Sequence, residues 1–431
     1  MSDVSSANRK DKKKRGILSR FLKILGPGLI TGAADDDPSG IATYSQTGAQ
    51  FGYGQLWTVV FLYPLMTAVQ EASARIGAVT KRGIAAVVKA HYPKGILYSI
   101  VGLIVVANTV NIGADIGAMA AALRLVIPVP FALATLFFVV LMLLLEVLVP
   151  YKRYVYILKW LMAVMLVYPI TVFLVHEPWS QIFAATFLPH LELTPMYLFI
   201  FTGVIGTTIS PYMFFWQASE EVEEELGSGH PPVLKSFIKN MRIDNAVGML
   251  VSQIVTWCII VVAATVLHQS GVTNITSAAD AAQALLPLVH SFPHAGFIAE
   301  SIFAIGIIGL GLISVPVLAG SAAYAVSEAF SWHEGLYHKF RSAHGFYGVI
   351  TVATLVGLGI NFIGIDPIKA LIVTAVLNAI VAVPLIFLII FISSDRRIMG
   401  EYASGTLSRT LLWITFAAML VAAVATLWTI I

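Results

Sequence analysis

The segment Thr31-Gly-Ala-Ala-Asp-Asp-Asp-Pro-Ser-Gly40 places three carboxylates and a proline inside a stretch otherwise composed like a membrane-spanning helix. A mainly apolar run from Phe21 to Ile30 precedes it, and a helix can resume from Ile41. One Asp at the bilayer centre costs at least ~2.5–3.5 kcal/mol on insertion scales, so three together need a reason. Pro38 removes a backbone donor and clashes with the preceding turn, and Ser39-Gly40 can follow an irregular path. Broken backbone at membrane depth survives only when buried in protein or facing a water-filled cavity. The segment therefore reads as a discontinuous helix carrying an anionic site, and a cation is its natural guest.

The remainder of the chain supplies the membrane. Of 431 residues 58% are hydrophobic and 11% charged, with a mean hydropathy of +0.86, which places the chain among polytopic membrane proteins. Eleven apolar runs of spanning length lie near 21–50, 55–77, 96–127, 130–149, 154–175, 195–224, 243–268, 296–330, 346–363, 367–393 and 407–430. Basic residues order them: Lys10, Lys12, Lys13, Lys14 and Arg15 precede the first run and put the N-terminus in the cytoplasm. Alternate loops then carry Lys81, Arg82, Lys89 and Lys94, Lys152 and Arg153, Lys235, Lys239 and Arg242, Lys339 and Arg341, and Arg396 and Arg397, while 176–194 and 269–295 contain neither Lys nor Arg. Eleven spans leave the C-terminus outside. The net charge of +3 follows mainly from this bias, and the basic tail reads as an orientation signal that can also touch anionic headgroups. The first run, which holds the Asp cluster and lacks a small-residue cleavage site, is not read as a signal peptide. A single cysteine, Cys258, excludes an internal disulfide and a cysteine-based metal cluster.

A second interruption lies in span six, at Thr202-Gly-Val-Ile-Gly-Thr-Thr-Ile-Ser-Pro-Tyr212. Gly203, Gly206 and Pro211 break it at mid-depth, and Thr207, Thr208 and Ser210 supply oxygens. It comes five spans after the first break and so crosses in the opposite sense. Two broken helices in register in two five-helix halves point to an inverted repeat with a midplane ion site. A simple proline kink is the plainer reading of span six taken alone. The expected organisation is a basic tail over 1–20, repeats over 21–175 and 195–393, and a loop with an eleventh helix over 394–431.

At these breaks the chain resembles the NRAMP family of divalent-metal transporters. Gly26-Pro27-Gly28 with Asp37-Pro38-Ser39-Gly40 is similar to the family's first helix and its Asp-Pro-Gly-Asn motif. Tyr44 to Tyr53 and Gln70 to Thr80 match the regions that follow, and Gly206 to Tyr212 matches Ala-Thr-Val-Met-Pro-His on helix six. The resemblance implies an all-α, LeuT-type fold of eleven transmembrane helices, with helices one to five and six to ten as inverted repeats, working by alternating access.

Carried over by that resemblance, Asp37 keeps the family's Asp role, Gly40 stands at the Asn, Thr207 at the carbonyl donor and Ser210 at the Met. The soft sulfur and one amide ligand are both missing. Hard oxygen sites suit Mg²⁺, which dehydrates reluctantly and is held through one or two carboxylates with several waters retained. The pattern looks like the NRAMP-related magnesium branch. Mg²⁺ is the expected transported ion, Mn²⁺ a second candidate, and no cofactor is expected. Tyr212 replaces the helix-six His, and Asn111 and Ala114 replace the helix-three Asp and Glu. Asp115 lies one residue off and is expected to face elsewhere. Uncoupled transport driven by the membrane potential follows, worth ~4.6 kcal/mol per 100 mV for a doubly charged ion against ~2.3 for one charge. The alternative is a proton-coupled Mn²⁺/Fe²⁺ importer.

Other residues leave alternatives open. Asp35 and Asp36 either attract ions or bond freed backbone groups. Glu220, Glu221, Glu223, Glu224 and Glu225 form either a solvated helix end or a cation-attracting vestibule, with Glu220 and Glu224 on one face. Asn378 either lines the cavity or makes an interhelical hydrogen bond. Glu71 is placed to pair with Arg75, and Asp366-Pro367 to start a helix. His176, His190, His268, His290 and His294 lack zinc-site spacing. An intramembrane aspartic hydrolase would need two facing Asp residues on separate helices, and none is expected, since Asp115, Asp244, Asp280 and Asp366 fall mostly near span ends. A channel with an acidic ring gives no reason for two broken helices. The expected product is therefore not an enzyme. It is expected to be a monomeric multi-pass protein of the cell membrane whose partners are a divalent cation and lipid, without nucleic acid.

Overall fold

The computed structural model describes residues 32, 35–148, 163–175, 178–227, 235–335 and 342–430. The basic tail, the apolar run before Asp35, Lys152, Arg153, His176, Lys339, Arg341 and the side chains of Glu224 and Glu225 lie outside the described residues. Among those described, all regular structure is helical.

The first half contains α1 (Pro38–Phe51), α2 (Trp57–Thr80), the short α3 (Ile84–His91), α4 (Lys94–Val126), α5 (Phe131–Leu148) and α6 (Val167–Leu174). A short α7 (Trp179–Phe187) crosses between the halves. The second half contains α8 (Pro195–Thr208) and α9 (Pro211–Gly227), the two arms of span six, followed by α10 (Lys235–Ala263), which runs on through a π-turn over Ala264–His268. Then come α11 (Ala295–Phe330), α12 (His344–Ile360), α13 (Pro367–Ser394) and α14 (Thr406–Ile430). Where their residues are described, the apolar runs read from the sequence fall on these helices, while 21–31 and 154–162 lie outside the described residues. Among the described residues, six stretches are long and apolar enough to span a membrane outright, α8 with α9 among them. Helix α2 carries Glu71 and Arg75 and so has a less apolar composition.

Both breaks arise from local chemistry. Asp37 caps α1 and Pro38 holds its first position, where a missing N–H costs nothing. At the other break α8 ends at Thr208, Ile209 leaves helical geometry, and Pro211 opens α9. Asp366 likewise caps α13, its Oδ1 accepting from Ile368 N at 2.9 Å and Lys369 N at 3.3 Å.

Around the breaks the helices pack α1 on α10 and α8, α8 on α13, α2 on α9, and α4 on α11. Without a hydrophobic drive between helices in lipid, such contacts rely on close backbone approach. A Cβ on Gly32 would stand 2.3 Å from Gly248 backbone, and one on Gly48 2.5 Å from the Ile260 carbonyl, so the first broken span lies flush along α10. A Cβ on Gly77 would sit 2.1 Å from the Ala218 carbonyl where α2 crosses α9. Gly77→Ala is therefore expected to destabilise the fold by about 1–3 kcal/mol, the usual cost of overpacking. A lower thermal midpoint in detergent is the expected readout, and an unchanged midpoint would show that the two helices can part.

Near the C-terminal end of α2, Arg75 is wholly buried. Its guanidinium donates to Glu71 at 2.8 and 3.1 Å, to the Tyr402 carbonyl at 2.6 Å and to Ser404 Oγ at 3.0 Å. Arg242 also donates to Glu71 at 2.8 Å. The i,i+4 pair read from the sequence is thus present, and tertiary packing turns it into a tie between α2, α10 and the segment after α13.

Candidate metal centre

The capping geometry that starts α1 also orients its carboxylate. Asp37 Oδ1 accepts from Ser39 Oγ at 2.5 Å and from Gly40 N at 2.9 Å, and the Tyr212 hydroxyl donates to Oδ2 at 3.1 Å. One oxygen is thus fixed by its own helix, while the other faces α9. The N-terminal dipole of α1 favours negative charge at this position.

Span six approaches from the other side. Thr207 Oγ1 lies 3.2 Å from Ser39 Oγ, which joins the two breaks directly. Ser210 Oγ donates towards the Gly206 carbonyl at 3.1 Å and the Thr207 carbonyl at 2.8 Å, covering acceptors that the end of α8 leaves without helical partners. Gly40 borders this space: a Cβ there would lie 3.4 Å from Thr207 Oγ1 and 3.1 Å from the Tyr44 ring. The Tyr44 hydroxyl meets Thr208 Oγ1 at 3.1 Å. Asp37, Gly40, Thr207, Ser210 and Tyr212 are all buried. Their hydroxyls are all engaged, Thr207 with Ser39, Ser210 with the Gly206 and Thr207 carbonyls, and Tyr212 with Asp37.

The accessory residues separate into other groups. Asp36 turns to α10, where Ser252 Oγ lies 3.1 Å and Thr256 Oγ1 3.4 Å from its Oδ1. Asn378 accepts from Asn111 Nδ2 at 2.8 Å, an interhelical bond between α13 and α4. Glu220, Glu221 and Glu223 are buried, which overturns the solvated-end reading for these three. Glu221 accepts from Gln217 Nε2 at 3.0 Å and Glu223 from the Tyr324 hydroxyl.

The expectation for Asp115 was wrong. It lies well inside α4, is buried, and its Oδ2 accepts from Ser314 Oγ of α11 at 2.5 Å. Its carboxylate lies within electrostatic reach of Asp37. A readable signal existed: Asn108, Asn111 and Asp115 are spaced i, i+3 and i+7, one face of a helix that is otherwise apolar. Asp115 is on the face of Asn111.

A model of proteins like the natural resistance-associated macrophage protein matches residues 28–429. The chain belongs to the Nramp family. Members of this family are membrane transporters and not enzymes. A manganese transporter of Eremococcus coleocola superposes with a TM-score of 0.75 at 16% identity, covering 96% of this chain and 87% of that one. A variant of the same transporter gives 0.72 at 17% identity over the same shares. Mhp1, a nucleobase-cation-symport-1 family transporter in a closed conformation, gives 0.59 at 12% identity over 94% and 92%. At such identities the likeness speaks for the fold, and that fold is the LeuT type with helices one and six broken.

Proposed function

We propose that this Nramp-family protein carries divalent cations across the membrane by alternating access, with Mg²⁺ preferred, Mn²⁺ accepted, and no coupled proton. Asp37, Gly40, Thr207 and Ser210 form its ion site, and the N-terminus faces the cytoplasm. One observation carries this reading: the Asp37 carboxylate is surrounded by hydroxyl, phenol and backbone groups, with no thioether or imidazole bonded to it among the described residues. Oxygen donors suit hard ions. Opening the breaks would free Asp37 Oδ2, the Ser39, Thr207 and Ser210 hydroxyls and the Thr207 carbonyl. The small side chain at Gly40 leaves room for retained waters, which Mg²⁺ keeps in most protein sites. The name of the Eremococcus coleocola transporter supports divalent-metal transport as the general class.

Proton coupling is the second reading, and Asp115 is the observation in its favour. A buried carboxylate within charge range of Asp37 is a possible proton carrier, whereas Asn111 and Ala114 are not. Liposomes loaded with a pH-sensitive dye separate the two. Uptake of Mg²⁺ down its gradient is expected to leave the lumenal pH unchanged, and Asp115→Asn is expected to keep uptake within about threefold of wild type, a barrier change under one kcal/mol. Lumenal acidification that tracks metal entry and vanishes in Asp115→Asn would establish coupling instead.

A further inference from the structure

Just before the first break lie two carboxylates that the Asp37 centre does not use. Asp35 and Asp36 are buried. Both lie against α10, where Gly248, Ser252 and Thr256 recur every four residues on one face. The flush contact of Gly32 with Gly248 brings this face onto the span with no side chain between. Ser252 Oγ stands 3.1 Å from Asp35 Oδ2 and 3.1 Å from Asp36 Oδ1, and Thr256 Oγ1 reaches the same Asp36 oxygen at 3.4 Å. A serine hydroxyl has one proton and cannot satisfy two carboxylates. Asp35 Oδ1 is buried with no hydrogen-bond partner. Among the described residues, no ion pair involves either group. Buried carboxylates in this state are costly unless a positive charge joins them.

We propose that Asp35, Asp36, Ser252 and Thr256 form a second cation subsite, separate from Asp37, which takes a hard divalent ion. Two carboxylates balance two positive charges, and the donors are all oxygen, as Mg²⁺ and Mn²⁺ prefer. Asp35 Oδ1 supplies lone pairs that no hydroxyl meets, and the single Ser252 proton leaves one of the two oxygens facing it unmet by Ser252 as well. Tyr44 lies within electrostatic reach of both carboxylates and bonds Thr208 beside the Asp37 centre, so the two ions would be neighbours at the N-terminal end of α1. Occupancy of one subsite must then change the affinity of the other, and the effect is reciprocal. The ion class rests on the transport reading above, while the existence of the subsite does not.

Mn²⁺ titrated into the purified full-length chain in detergent, with free ion counted by room-temperature electron paramagnetic resonance, tests this. Wild type is expected to bind two ions per chain across the micromolar to millimolar range. Asp37→Ala is expected to bind one, as is the double variant Asp35→Asn/Asp36→Asn. Ser252→Ala, which keeps both carboxylates, is expected to weaken one class of site about tenfold, as loss of a supporting partner does elsewhere, and to shift the other by much less, through coupling alone. One ion per wild-type chain, or two in the double variant, would overturn the subsite and mean that the carboxyl pair shares a proton. If the double variant does not fold, Ser252→Ala decides, and two unaltered classes refute the proposal. Asp37→Ala retaining both ions and full uptake would instead refute the Asp37 centre and leave this subsite standing.

Discussion

Asp37→Ala is expected to lower Mg²⁺ and Mn²⁺ uptake into proteoliposomes to the level of empty vesicles. Two unit charges 4 Å apart attract by about 4 kcal/mol at an effective dielectric of 20, and a divalent ion gains more. Losing even part of this weakens binding by roughly a hundredfold or more, since each 1.4 kcal/mol is tenfold. The alanine also removes the cap of α1, worth about 1 kcal/mol, and leaves Ser39, Gly40 and Tyr212 without their acceptor. Asp37→Asn separates charge from capping, because asparagine caps equally well. Its thermal midpoint should stay near that of wild type while uptake is lost. Sustained Mg²⁺ flux in the asparagine variant would show that this carboxylate is not the ion's main ligand.

The second large effect concerns which ion is chosen. Gly40→Asn together with Ser210→Met is expected to raise the Mn²⁺ to Mg²⁺ uptake ratio by about tenfold, the equivalent of about 1.4 kcal/mol. The thioether favours the softer ion, and the amide occupies volume that retained water would fill. At Gly40 an added Cβ meets the Tyr44 ring at 3.1 Å, so the ring must shift by a few tenths of an ångström. At Ser210 the methionine also gives up the hydroxyl that covers the Gly206 and Thr207 carbonyls, and the latter becomes available to the ion. Competition between the two ions in one uptake assay measures the ratio directly. An unchanged ratio would mean that hydration and softness are set by residues elsewhere.

Much of this centre was legible in the chain. Pro38 and Pro211 mark the breaks because each takes the first position of a helix, near glycine and polar residues, whereas Pro64, Pro316 and Pro384 stay inside apolar helices. Asp37 stands out because a carboxylate in a membrane span is costly. The glutamates after Ser219 were less legible. Their density at a helix end reads as solvated, and only the packing of α9 against α2 and α11 shows Glu220, Glu221 and Glu223 to be enclosed. Asp115 was readable through its spacing from Asn111, but the apolar helix around it gave that spacing little weight.

The sequence by itself determined the membrane class, the spans, the two interruptions and the carboxylate at the first of them. Each of these follows from costs that act on a single segment: transfer of apolar residues, burial of charge, and the missing donor of proline. The tertiary structure alone decided where polar side chains point. In lipid both faces of a helix are apolar, so periodicity does not distinguish the side facing protein from the side facing acyl chains. Only the neighbouring helix does, which is how α10 claims Asp35 and Asp36 through Ser252, α11 claims Asp115 through Ser314, and α9 brings Tyr212 to Asp37.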